Sequence, residues 1–380
     1  MTTNRFYDAI IIGGGLAGAG TARALAQRGR KVLVCETHPH LAAKASGNAR
    51  GLLMPYVATH ASPPGRLYAK GFRYTHDLLT QTFNDRNLYT ECGAMQLPAT
   101  RRLARIITET TECAGDAPIT RISAQDGSDV TATTITSPSF FIPQAGFCKP
   151  ADITQALVST GSTLITIRCS HEVVDLTPER STWRVTFRNG DIEETEAVVL
   201  CGAHEITKLA VSSWVPLEAV RGQTVQARSS LESASLRTVI SYGGYITPEY
   251  DGVHFIGAHY RHNDMSESPN DDDTGEILSR LYSTLPSISD LSVTSSRVCF
   301  RASTPDRMPY IGALPLRNTP QLFINAGHGS RGLLTAPLGG EIIARLMHKE
   351  ALEDFEESAT ISAAARLKKR FEATTSKPAC

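Results

Sequence analysis

The chain has 380 residues, 41% of them hydrophobic, enough for a large core in two or three domain-sized units. Lys+Arg and Asp+Glu stand at 38 each, which argues against a globally basic nucleic-acid binder and leaves only local basic patches open. The eight cysteines (Cys35, Cys92, Cys113, Cys148, Cys169, Cys201, Cys299 and Cys380) form no CxxC pair and no close Cys/His cluster, so neither a zinc site nor a disulfide framework is expected.

The first apolar run, Ala9 to Leu16, is broken by Gly13, Gly14 and Gly15. It is too short to span a bilayer, has no basic leader with a cleavage site, and no later apolar stretch approaches about 18 residues. The expectation is a cytoplasmic protein with no membrane partner. Tyr7 to Ile12 reads as a buried parallel strand. The turn that follows, Gly13-Gly14-Gly15-Leu16-Ala17-Gly18, contains GxGxxG. In such a turn the first glycine permits the tight bend, the second lets backbone approach a pyrophosphate, and the third lets helix pack on strand. Ala17 to Arg28 reads as the helix, Gly29 as its stop, and Lys31 to Cys35 as the second strand. Glu36 ends that strand roughly 20 residues beyond the turn, where an acid accepts hydrogen bonds from ribose hydroxyls. Strand, turn, helix, strand and acid in this order point to a dinucleotide.

FAD or NAD is decided further along. Ala45-Ser46-Gly47-Asn48-Ala49-Arg50-Gly51 opens toward Met54-Pro55 and suits a loop that wraps a large cofactor and turns into a helix. Strand-like runs follow at Leu164–Ile167, Glu172–Leu176, Trp183–Phe187 and Ala197–Leu200, with a turn at Asn189-Gly190. Asp271-Asp272-Asp273 reads as a solvated loop. Leu322 to Ala326 is a strand leading into Gly327-His328-Gly329-Ser330-Arg331-Gly332-Leu333-Leu334 and a helix through Met347. This second glycine turn aims N–H groups and a positive helix end at one point. Reduced flavin carries negative charge at its pyrimidine end, so the cofactor expected is FAD.

Together these segments resemble the D-amino-acid-oxidase-like (DAO) superfamily of flavoenzymes, over nearly the whole chain. A closer resemblance is to the FAD-dependent half of the MnmC family, bifunctional enzymes that mature wobble uridine in tRNA. It is carried by Ala45-Ser46-Gly47-Asn48 with Gly51 and Pro55, Val220-Arg221-Gly222-Gln223, Gly244-Tyr245-Ile246-Thr247-Pro248, Arg301-Ala302-Ser303-Thr304 with Asp306 and Pro309, and Gly329-Ser330-Arg331-Gly332 with Ala336-Pro337. The resemblance implies an α/β (α+β overall) fold, with a Rossmann-like FAD-binding domain (1–85, 150–213, 296–380) interleaved with an antiparallel-sheet substrate domain (86–149, 214–295). It implies oxidative removal of the carboxymethyl group of 5-carboxymethylaminomethyl-(2-thio)uridine in a tRNA anticodon, giving the aminomethyl nucleoside and glyoxylate. Oxygen is the expected electron acceptor. The first strand begins by residue 8, so the methyltransferase acting next is expected to be a separate protein. His328 follows the general amine-oxidase pattern and keeps a free-standing glycine or sarcosine oxidase producing hydrogen peroxide open. A flavin-binding redox sensor is the third reading, and a carboxylate anchor argues against it.

By the same resemblance, Gly13, Gly15, Leu16, Ala17, Gly18, Glu36, Ser46, Gly47, Asn48, Val173, Val174, Gly202, Gly329, Ser330, Arg331, Gly332 and Leu333 hold non-covalent FAD. Val173 and Val174 would cover the adenine, and Cys201-Gly202-Ala203 would end a parallel strand beside the pyrophosphate. Arg301 is the expected carboxylate anchor, since its planar fork binds two oxygens at once; a structural salt bridge is the alternative. Tyr245 binds the same carboxylate or is core. Arg331 stabilises negative charge on the flavin or merely starts a helix. Arg221 lines the active site or forms a structural ion pair. Cys299 is a small buried residue or a point of covalent flavin attachment. Arg101, Arg102 and Arg105 form a solvated helix face or contact tRNA backbone.

Overall fold

A computed structural model describes residues 7–57, 62–85, 87–109, 119–160, 163–316 and 319–368. Cys113 and Cys380 lie outside the described residues. The chain forms two compact units, residues 1–47, 150–219 and 301–380, and residues 48–149 and 220–300.

In the first unit, β1 (Tyr7–Ile12), α1 (Leu16–Ala26) and β2 (Val32–Cys35) form the parallel crossover read from the sequence. Helix α1 stops at Ala26, and Gly29 follows with φ +78°. On the far side of β2 lies Ile165–Arg168, and on the far side of β1 lies Ile192–Leu200, both parallel. Ile192–Leu200 is long enough to serve two neighbours. Its first half pairs antiparallel with Trp183–Phe187, and its second half pairs parallel with Gln321–Ala326. Tyr7, Ile10, Leu33, Val198, Leu200 and Ile324 interlock in one core with the fully buried Trp183. The indole nitrogen of Trp183 donates to the Gln321 carbonyl at 3.1 Å, so even this large ring leaves no polar atom unpaid in the core.

The second unit holds an eight-stranded sheet whose described registers are antiparallel except where Val239–Ser241 runs parallel to Ala94–Gln96. One face, with Met95, Val225, Ile240, Ile246 and Ile256, packs on Ile277 and Leu281 of the Asp271–Thr284 helix. A smaller sheet joins Gly51–Leu53 and Tyr89–Thr90 to Gly146–Cys148. That pairing explains a difference in boundary: residues 48–85, grouped by the sequence reading with the first domain, cluster with the second unit because Gly51–Leu53 is hydrogen-bonded into it. The loop after Glu36 also differs from expectation. A short 3₁₀ turn, Ala45–Gly47, leads into this strand rather than into a helix, and among the described residues the next helix is Pro63–Asp77.

Asp271 and Asp272 are exposed as expected, but Asp273 is buried and the run is not a loop. It is the first turn of a helix, where the positive end of the helix favours acids, and Asn270 caps it by accepting from the Asp273 N–H at 2.7 Å. Asp273 is fully buried and receives hydrogen bonds from Arg221 and, at 2.7 Å, from Arg261. Arg221, also fully buried, donates to the carbonyls of Ser266 and Ser268 as well. Arg221 is therefore a structural ion-pair residue and does not line an active site. Burial pushes the Asp273 carboxyl up, but hydrogen bonds from Arg261 and Arg221 and the nearby His259 outweigh it and hold it below the usual range. The pair's contribution to stability is thus present above the ordinary carboxylate pKa of about 3.9 and lost as pH falls through the lower folded value. Asp273→Ala should cost somewhat less than the ~3–5 kcal/mol typical of a broken buried pair, because Asp264 remains 3.7 Å from Arg221. Urea unfolding of this variant, and of the double variant with Arg221→Met, should show the double losing less than the single.

Candidate active site

The apolar β1 delivers the chain into a turn that only glycine tolerates. Gly13 has φ +111°, and a Cβ there would lie 2.7 Å from the Cys201 carbonyl carbon and from the Gly202 nitrogen. Gly202 is thereby placed beside the turn at the end of its parallel strand. A Cβ on Gly18 would lie 1.9 Å from the Gly13 oxygen, so the helix start and the turn are in backbone contact. Helix α1 opens on Gly15 with no side-chain cap and no acid in its first turn. Ser46 supplies one acceptor, taking the Leu16 N–H at 3.0 Å. The remaining first-turn donors, at Ala17 and Gly18, call for an acceptor from outside the helix, and an anion fits that demand.

Glu36 stands at the end of β2 as read. One carboxylate oxygen accepts from the Gly14 N–H at 2.8 Å and the other from the His38 N–H at 2.8 Å. The second of these oxygens also meets the His38 ring Nδ1 at 2.6 Å, so the group is firmly oriented, and the oxygen facing Gly14 keeps a lone pair that can receive a ribose hydroxyl. Backbone hydrogen bonds from Ser170 to His38 and from His171 to Glu36, both 2.9 Å, bring Val173 and Val174 alongside this edge.

The second glycine turn belongs to the same unit. Gly329 has φ +54°, residues Gly329–Arg331 form a 3₁₀ turn, and the helix Gly332–His348 follows. Asn325 joins this element to α1: its amide nitrogen lies 3.3 Å from the Ala17 carbonyl, 3.2 Å from the Thr21 hydroxyl and 3.1 Å from the Ala336 carbonyl. The two helices approach to backbone contact. A Cβ on Gly340 would lie 2.5 Å from the Gly20 carbonyl carbon, and one on Gly339 would lie 2.1 Å from the Asn325 side-chain oxygen. The helices that follow the two glycine turns are thus packed against each other within the first unit. Sequence reading missed Asn325 and Gly20. The adjacent Gly339-Gly340 in a helix interior, costly without close packing, was the available signal.

His328 contacts the Thr335 hydroxyl through Nδ1 at 2.8 Å. Burial pushes its pKa down to about 4, against the opposing effect of the Asn325 backbone, so it is neutral at pH 7. Positive potential at this turn therefore comes from the helix end and Arg331. Asn48 accepts from Arg297 at 2.9 Å and from the buried Cys299 thiol at 3.5 Å. Its carbonyl oxygen is thus occupied by protein. Arg301, half-buried on the Ser292–Ser303 strand, falls in the first unit. Tyr245 falls in the second, where a Cβ on Gly257 would lie 2.6 Å from its ring, so that glycine seats the ring. Tyr245 and Arg50 border a cavity of about 10 Å³, room for one water. Arg50 stacks over Tyr250 at 4.1 Å and Phe255 at 4.9 Å, a cluster the sequence reading did not single out.

Residues 8–346 match the DAO family, described as FAD dependent oxidoreductase. The chain belongs to this family. The DAO chain has FAD as its cofactor, and the uncapped α1 start, the glycine cradle and the oriented Glu36 fit that group. It is 32% identical over 383 residues to the tRNA 5-methylaminomethyl-2-thiouridine biosynthesis bifunctional protein MnmC of Chromobacterium violaceum, covering 91% of this chain and 57% of that one. To the protein of the same name from Stutzerimonas stutzeri it is 30% identical, covering 92% and 57%. The chain thus spans little more than half the length of these relatives. Among solved structures, glycine oxidase from Geobacillus kaustophilus superposes with a TM-score of 0.76 at 24% identity, covering 91% of this chain and 95% of that one. L-Proline dehydrogenase from P. horikoshii gives 0.82 at 17%, covering 96% and 98%. These two likenesses speak for the fold.

Gly15→Val should abolish FAD binding. Its Cβ would stand 2.9 Å from the Ser46 hydroxyl, and its methyls would fill the cradle. Protein purified with normal flavin absorbance would refute the placement. The wild-type DAO chain should release its yellow colour into the supernatant on acid precipitation, because the Cys299 thiol is buried against Asn48; colour in the pellet would mean covalent attachment.

Proposed function

We propose that this chain oxidises the carbon–nitrogen bond of a glycine-like secondary amine, removing the carboxymethyl group from 5-carboxymethylaminomethyl-(2-thio)uridine in a tRNA anticodon to give the 5-aminomethyl nucleoside and glyoxylate. The observation that carries this reading is similarity at 29–32% identity, over about nine-tenths of the chain, to relatives named for tRNA 5-methylaminomethyl-2-thiouridine biosynthesis. FAD, when bound, supplies a two-electron acceptor for the hydride that leaves the methylene carbon, after which water splits the carbon–nitrogen double bond.

The chain's own residues supply position and charge. Arg301 grips the substrate carboxylate through its planar fork, and Tyr245 donates a hydroxyl to the same group. The substrate amine reacts as the neutral base, so its lone pair supports the developing double bond and no side-chain base is required. Arg331, with the N–H groups of Gly329 to Gly332, provides positive potential where the cofactor gains charge, and the neutral His328 adds none. Gly13, Gly15, Leu16, Ala17 and Gly18 take the pyrophosphate, Glu36 the ribose, and Val173 and Val174 the adenine. Ser46, Gly47 and Asn48 line the approach to the ring. Oxygen is the acceptor that completes the cycle, a separate methyltransferase consumes the aminomethyl product, and the setting is cytoplasmic. Among the described residues no helix is long and apolar enough to cross a membrane.

A second reading, a free-standing glycine or sarcosine oxidase that forms hydrogen peroxide, is favoured by His328, which follows the general amine-oxidase pattern. The two differ in remote binding energy. Uridine and phosphates add contacts that orient the methylene, which free glycine lacks. Anaerobic stopped-flow should therefore show tRNA bearing the modified uridine reducing the flavin much faster than glycine or sarcosine. Flavin reduced by glycine or sarcosine but not by the tRNA, with the nucleoside recovered unchanged, would establish the small-amine oxidase instead. Arg301→Ala should slow either reaction by roughly 30- to 1000-fold, the equivalent of about 2–4 kcal/mol of transition-state binding.

A further inference from the structure

The second unit carries a charged face that the proposed chemistry does not use. The helix Arg101–Glu109 packs Ile106 and Ile107 on Phe140, with Leu103 beside them, and turns Arg101, Arg102 and Arg105 to solvent. This arrangement works against the helix. Arg105 lies one turn from both Arg101 and Arg102, at like-charge spacing, and all three crowd the positive end of the helix, whose first turn holds no acid. Arg101 and Arg102 have no ion-pair partner among the described residues, whereas Arg28, Arg188 and Arg366 are each tied to a carboxylate. Stability of the fold does not account for them.

Arg121 adds a fourth charge, also exposed and without an ion-pair partner among the described residues. Its register partner on the neighbouring strand is Phe140, and directly paired residues point to the same face of a sheet. Arg121 therefore emerges on the side where the Arg101–Glu109 helix packs. The same register continues across the sheet, from Phe140 to Gln96, from Gln96 to Ser241, and from Ser241 to Tyr245. Arg121 and Tyr245 thus stand in one row on one face. Four strand spacings of ~4.8 Å separate them by about 19 Å.

We infer that Arg101, Arg102, Arg105 and Arg121 form a docking face for the phosphodiester backbone of the RNA whose modified base reaches Tyr245. The inference rests on the tRNA reading above. The guanidinium fork matches phosphate oxygens bidentately, and a chain of zero net charge needs such a local patch to attract RNA at all. At a rise of roughly 3.4 Å per nucleotide, 19 Å corresponds to phosphates several nucleotides from the reacting base. The patch holds the flanking strand and leaves the base itself to the active site.

The test uses the FAD-loaded protein and the variant Arg101→Gln/Arg102→Gln/Arg121→Gln, with Arg105 retained. Affinity for tRNA bearing the modified uridine is measured against salt, and flavin reduction is measured with the isolated modified nucleoside. The variant should bind tRNA at least 10-fold more weakly at low salt. The slope of log affinity against log salt should be shallower by about 2 to 3, as expected for three lost phosphate contacts. Reduction by the nucleoside should proceed at the wild-type rate. Unchanged tRNA affinity and slope would overturn the docking face, as would a wild-type protein that does not bind RNA, or a variant slowed equally with the nucleoside. If wild-type binds tRNA without oxidising it and the variant loses that binding, the docking face stands and the tRNA-oxidase reading falls.

Discussion

The first unit depends on the backbone contact between its two glycine-led helices. Gly20 in α1 and Gly340 in the Gly332–His348 helix meet with no room for a Cβ, and Pro337 sits 2.9 Å from where the Gly20 Cβ would be. Asn325 locks the arrangement from the strand below by bonding to a carbonyl of each helix. Because the helices touch, their N-terminal ends are held side by side at the carboxyl edge of one parallel sheet. Both helices thus present their positive ends at the carboxyl edge of that sheet, where backbone N–H groups favour anionic groups. A side chain at either glycine would separate the helices.

Electrostatics elsewhere follow a similar division of labour. In the second unit, Asp273 is buried with Arg221 at the base of a helix, where the pair closes residues 264–270 onto the sheet. Full desolvation makes that pair a structural element with no lone pair or fork left over for substrate. Arg101, Arg102 and Arg121, by contrast, remain in solvent without a partner among the described residues, where their charge is available to bind something else. Burial and partnership separate arginines that are indistinguishable as letters in the sequence.

The local parts of the candidate site were legible because they rest on short-range rules. The β1–α1–β2 unit, Glu36 and the second glycine turn each occupy a few consecutive residues whose spacing is set by helix and strand geometry, and each was found close to where it was read. What failed were readings that needed a distant partner. Asp273 looks solvated like Asp271 and Asp272 until Arg221 and Arg261 are brought against it. The loop after Glu36 looks like a helix entry until Gly51–Leu53 finds Gly146–Cys148.

The sequence by itself determined the order of the elements that cradle a dinucleotide, through glycine spacing and apolar runs, and it pointed to the family and to FAD through motifs that resemble those of the DAO flavoenzymes. Only the tertiary structure decided which arginine is structural and which is free to act. It also decided that Asn48 spends its carbonyl on Arg297 and Cys299, that Asn325 ties two helices together, and that Arg121 shares a row with Tyr245. Each of these is a contact between segments far apart in the chain, and the pairing register that creates it is a property of the assembled sheet rather than of any local stretch.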